Sequence, residues 1–84
     1  VYRWEFNTAD DELAALLIPS GGQKALADLL NALVFDPHDY ARTPGEPIGK
    51  SLRTLPFADD DGLVIVNILD RDRLVVVVQV DWIG

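Results

Sequence analysis

The stretch "LVVVVQVDW", residues 74–82, limits the fold more than any other part of the chain. β-Branched residues favour extended backbone. Along a strand, side chains alternate between the two faces. Val75, Val76, Val77 and Val78 therefore put apolar groups on both faces of the sheet that holds them. A chain of 84 residues has little left to cover the second face.

Length predicts one domain spanning residues 1–84, with a small core and modest stability. Half the residues are apolar, which favours a folded chain over disorder. There is no cysteine, so disulfides and thiolate metal sites are excluded, and a reducing, cytoplasmic setting is expected. No apolar run reaches the roughly 18 residues that span a membrane, and no signal-peptide pattern opens the chain. Neither a membrane partner nor a cofactor is expected.

The net charge is −7, from 14 acidic and 7 basic residues. Phosphate backbones are held by cations, so an acidic chain binds nucleic acid only where its cations cluster. Arg42, Lys50 and Arg53 form the one such grouping, three of the seven basic residues.

"YRWEF" alternates, with Tyr2, Trp4 and Phe6 on one face and Arg3 and Glu5 on the other. This is a strand with one buried face. In "TADDELAALLI", Thr8 caps a helix, Asp11 completes a capping box, and Asp10, Asp11 and Glu12 suit the helix dipole. Leu13, Leu16 and Leu17 make an apolar stripe, and Pro19 stops the helix.

Ser20 is expected to cap a second helix, "GGQKALADLLNALVF". In it Leu26, Leu29, Leu30, Leu33 and Val34 recur at helical spacing, and the two glycines delay the first turn. The short break between the helices favours an antiparallel pair. "DPHDYARTPGEP", with three prolines and a glycine, reads as a long loop. "IGKSLRTLPF", "GLVIVNIL" and "RLVVVVQVDW" read as strands. The expected fold is α+β with order β-α-α-β-β-β: an antiparallel sheet with an N-terminal strand and a helical hairpin packed on one face.

A three-residue turn over Asp70, Arg71 and Asp72 sets Leu69 opposite Arg73. Val64, Val66 and Ile68 then share a face with Leu74, Val76, Val78, Val80 and Trp82. That face is wholly apolar and is expected to receive the helices. The other carries Leu63, Ile65, Leu69, Val75 and Val77 beside Asn67, Gln79 and Asp81. It is too apolar for the wet side of an antiparallel sheet. Monomers rarely leave such a patch bare. Leu63, Ile65, Leu69, Val75 and Val77 are therefore the expected partner-binding residues, for another protein or a second copy in a homodimer. Alternatively the long loop folds back over this face, with Tyr40, Pro44 and Ile48 as cover.

The layout resembles the RelE/ParE superfamily of small bacterial toxins. The resemblance rests on "YRWEFNTADDELAAL", "LADLLNALVFDP", the "GEPIGKSLRTL" strand and the hairpin "GLVIVNIL…RLVVVVQV". It implies a bacterial toxin–antitoxin pair, in which toxins cut messenger RNA on the ribosome or poison a topoisomerase, and an antitoxin wraps the toxin. RNA cleavage by 2′-hydroxyl attack needs a base, cations for the phosphate oxygens, and an acid for the leaving oxygen. Such groups are typically on the open sheet face and the chain end.

Lys50 and Arg53 fall in the strand where family members place basic residues. The third strand, "LVIVNIL", lacks the arginine typical there. The end reads "QVDWIG", where a basic group followed by tyrosine is usual, and Asp81 has the wrong sign for a phosphate site. These departures favour a toxin-like protein acting mainly as a protein-binding module, with an antitoxin as partner. The alternative is a ribosome-dependent mRNA endoribonuclease, with Lys50, Arg53 and Arg42 on phosphate and Tyr40 or His38 moving the proton.

Other groupings are weaker. His38 in "DPHDY" has no triad around it. Asp59, Asp60 and Asp61 lack the spacing of a calcium loop. "GGQK" is not a phosphate-binding loop. Trp4 and Trp82 fall on the expected core face, which favours packing over base stacking.

Overall fold

The computed structural model describes residues 2–35, the backbone of 46–47, and 52–83. Arg42 and Lys50 lie outside the described residues, as do His38, Tyr40, Pro44 and Ile48.

The elements follow the expected order, with one short strand added at Glu46–Pro47 in the stretch expected as loop. They are β1 (Arg3–Phe6), α1 (Ala9–Leu16), α2 (Ser20–Leu33), β2 (Glu46–Pro47), β3 (Leu52–Phe57), β4 (Gly62–Leu69) and β5 (Leu74–Trp82). The sheet order is β1-β5-β4-β3-β2. β2, β3, β4 and β5 pair antiparallel. β1 lies parallel to β5, which makes the sheet mixed. A parallel neighbour requires a long crossover, and the helical pair carries the chain across one sheet face before the meander returns it.

Both helices begin as the chemistry of their first turns dictates. Thr8 Oγ1 accepts from the Asp11 backbone N–H at 3.2 Å and donates to Asp11 Oδ2 at 3.0 Å. Ser20 does not cap α2. The helix starts one residue sooner, with Pro19 at the cap and Gln23 N–H closing the first turn on Pro19 O at 2.9 Å. Proline's fixed φ suits that position. Gly22 lies inside the first turn because a larger residue would not fit. A Cβ there would stand 2.7 Å from the Trp82 ring.

The core lies between the helices and one sheet face. Leu30, Leu33, Leu55, Val64, Val66, Val75 and Val77 are sealed from solvent. Each such side chain contributes about 1.5–3 kcal/mol over an exposed one. Aromatic rings close the ends. Phe57 and Trp82 sit 6.0 Å apart, and Trp4 meets Phe6 edge-on at 5.5 Å.

The valine run settles differently from expectation. Leu69 pairs with Leu74, not Arg73, so four residues, Asp70 to Arg73, form the turn. Arg73 takes a left-handed φ of 52°, and its N–H bonds Asp70 O at 3.2 Å. One extra turn residue inverts every face in the strand that follows. Val75 and Val77, expected on the partner-binding face, are therefore fully buried against the helices. Leu74 and Val76 take the opposite face.

A β-bulge then restores the frame. Val66 pairs with Val77 but Ile65 pairs with Gln79, leaving Val78 as the extra residue. Beyond it, Val80 and Trp82 return to the helix side, as expected from sequence. Leu63, Ile65 and Leu69 do lie on the face away from the helices, half-buried.

Candidate protein-binding site

Three features of the described residues bear on function: the open sheet face, the expected cations, and the outer side of α1. On the open face, Leu63, Ile65, Asn67 and Leu69 stand beside Leu74 and Val76. Leu74 and Val76 are only 8% and 9% exposed, so this face is not the bare apolar sheet that the valine run implied. Among the described residues its charges are Arg3 and Glu5 at the β1 edge and Asp81 near the end of β5. Asp81 accepts from Gln79 Nε2 at 2.7 Å.

Arg53 is not on that face. It pairs with Val66 and shares its side of β3 with Leu55 and Phe57, so it lies on the helix side at the margin of the core. Its guanidinium donates to Leu52 O at 2.8 Å. Asp59, Asp60 and Asp61 form a turn after β3, and no group of three metal-ligating side chains gathers among the described residues.

The outer side of α1 was missed by sequence reasoning. Leu13, Leu16 and Leu17 are 55%, 61% and 78% exposed. The helix instead turns Ala15 toward the core, and Ile18 follows it there. The segment "ELAALLI" contains two apolar stripes at helical spacing. The smaller one packs closer to the sheet, and the larger faces out. Two competing stripes on an eight-residue helix were the only signal available.

Beside Leu16 a cleft of about 150 Å³ opens between β1, α1 and α2. Trp4 and Phe6 form its floor, Ala15 and Leu16 one wall, and Leu26 and Leu30 the other. Its shape is fixed by Gln23, whose Nε2 donates to Leu16 O at 3.0 Å and Ile18 O at 2.8 Å. Those bonds tie the end of α1 to the start of α2. Trp4 is oriented by its own bond, Nε1 to Asn31 Oδ1 at 3.1 Å. A second hollow continues the cleft around Trp4, Phe6 and Glu12 to Glu5 and Thr8. Among the described residues, the only charged ones lining either hollow are Glu5 and Glu12.

Solved structures carry this arrangement of strands and helices elsewhere. The isolated RelE toxin of E. coli superposes with a TM-score of 0.83 at 13% identity, over 100% of this chain and 86% of that one.

The chain has the RelE fold.

RelE in the intact E. coli RelBE toxin–antitoxin complex matches equally well, with a TM-score of 0.83 at 12% identity over 98% of this chain and 96% of that one. The archaeal RelE–RelB complex from Pyrococcus horikoshii gives 0.72 at 14% identity, over 99% and 96%. No protein-family model and no curated protein sequence matches the chain. At these identities the RelE likeness is one of backbone path, and side-chain roles have to come from this chain's own residues.

Proposed function

We propose that this chain is the toxin-like component of a bacterial toxin–antitoxin pair and acts mainly by binding protein. In this reading residues 1–84 work as one RelE-like unit in the cytoplasm. The antitoxin is the partner. The RelE fold supports the pairing, because proteins of this fold are known in complex with RelB antitoxins. The placement of charge carries the preference for binding over catalysis. Arg53 shares the side of β3 that packs on the helices, while the open sheet face presents Glu5 beside Arg3 on β1 and Asp81 near the far end of β5. Carboxylates repel the phosphate oxygens that an RNA-cutting site must stabilise. Exposed leucines on α1 and the apolar cleft beside them give a protein partner surface to bury.

The test adds the purified protein to a reconstituted bacterial translation reaction and follows the message. Intact message is expected. Cleavage that disappears in the Lys50→Ala, Arg53→Ala double variant would instead make the chain a ribosome-dependent endoribonuclease.

A further inference from the structure

The cleft floor and the charges around it define the chemistry of what fits there. The cleft is apolar, and Gln23 holds it open as described above. Glu12 lines the cleft and the hollow that continues it, and Glu5 lines that hollow. Asp10 stands two residues from Glu12 in the first turn of α1. The nearest lysine on the cleft-lining helices, Lys24, is occupied by Asp28 at 3.0 Å. The charges that line the trough are thus acidic, with Arg3 beside Glu5 on the same edge strand outside the lining, and the whole chain carries −7.

The edge of the sheet adds a second recognition element. β1 ends the sheet order. Arg3 and Asn7 donate their N–H groups to Arg73 O and Val77 O on the β5 side. Alternation therefore directs the N–H and C=O of Trp4 and Phe6 away from β5. Their rings form the cleft floor, so free backbone groups and an apolar pocket belong to the same two residues.

We infer that this trough binds a cationic, amphipathic segment of another polypeptide, laid along β1 with apolar side chains in the cleft and Lys or Arg toward Glu5 and Glu12. The inference rests on the protein-binding reading and specifies the partner. A second copy is disfavoured as the occupant, because it would bring the same carboxylate rim and the same net charge to the trough. Apolar burial supplies affinity, while opposite charge selects the partner and speeds encounter. Extended peptides gain main-chain bonds at an open edge and specificity from pockets for alternate residues.

The probe is a display library of random twelve-residue peptides panned against the full chain. Enriched sequences are expected to combine apolar residues with Lys and Arg. A synthetic copy of the best one is expected to bind at least about fivefold more weakly to Glu5→Lys, Glu12→Lys protein. Ala27 also lines the cleft, and Leu16→Glu and Ala27→Phe, which alter one wall and fill the cleft, are expected to reduce binding further, with melting curves reporting whether each variant is folded. Leu16 is exposed, so at least the first is expected to fold. Neutral or acidic peptides, or binding indifferent to all these changes, would overturn the inference. So would a dimer in light scattering that Leu16→Glu dissociates, since a second copy would then own the trough. Cationic peptides held in the trough by a chain that forms no antitoxin complex would uphold this inference and remove the toxin–antitoxin reading alone.

Discussion

Val77 lies directly opposite Val66, and both are fully buried between the sheet and the helices. A carboxylate at either position would lose its hydration with no partner. Val77→Glu is expected to cost more than about 3 kcal/mol and to abolish cooperative folding. Leu63→Glu, on the half-buried opposite face, is expected to cost about 1 kcal/mol and to leave a folded protein. Urea titrations followed by circular dichroism separate the two.

Val78 is the extra residue of the bulge, so β5 alternates strictly without it. Deleting Val78 would leave Val77 opposite Val66 and Gln79 opposite Ile65, with Val80 and Trp82 still on the helix side. The deletion is expected to leave a cooperatively folded protein, within about 1 kcal/mol of Val78→Ala. Thermal melts of the two variants are the measurement.

Gly21 and Gly22 are neighbours in one helix with opposite expectations. Nothing lies within 4 Å of a Cβ at Gly21, so Gly21→Ala gains helix propensity and is expected to stabilise by about 0.5–1 kcal/mol. At Gly22 a Cβ would press on Trp82 ring atoms at 2.7 and 2.9 Å. Gly22→Ala is expected to be net destabilising by about 1 kcal/mol, because overpacking outweighs propensity. Denaturation midpoints decide the sign of each.

The turn after β3 holds Ala58, Asp59 and Asp60 at positive φ, from 54° to 71°. Such backbone is costly for residues with a Cβ, and most of all for β-branched ones. Asp59→Gly is expected to raise stability by about 0.5 kcal/mol, and Asp59→Val to lower it by about 1–2 kcal/mol. Paired melting temperatures check the contrast.

These particulars show what the sequence could convey. Alternation in "YRWEF" and "GLVIVNIL" and the leucine spacing of α2 were legible, because each pattern had one reading. They yielded the element order and the helix-side burial of Val64, Val66 and Ile68. The faces of β5 were not legible. "VVVV" has no polar residue to mark a phase, so the turn length chose it, and Arg73 closes a turn one residue longer than the three-residue turn expected. The outward leucines of α1 were hidden for a related reason, since "ELAALLI" offers two stripes. Gly62 was legible as the first residue of a strand, but the reason for a glycine there was not: the Phe57 ring leaves no room for a Cβ, while alanine and aspartates take the left-handed turn before it. At the site, Arg53 was legible as a cation but not as one on the helix side, because its face depends on pairing with Val66.

The most direct test of the central claim co-expresses the chain with the product of each open reading frame that adjoins its gene and measures the purified mass by light scattering. The expected result is a stable complex of the two proteins that Leu16→Glu weakens, from cells that keep growing when the chain is induced alone. The contradicting result is a chain that stays apart from that protein and arrests growth by itself, with arrest relieved by the Lys50→Ala, Arg53→Ala double variant.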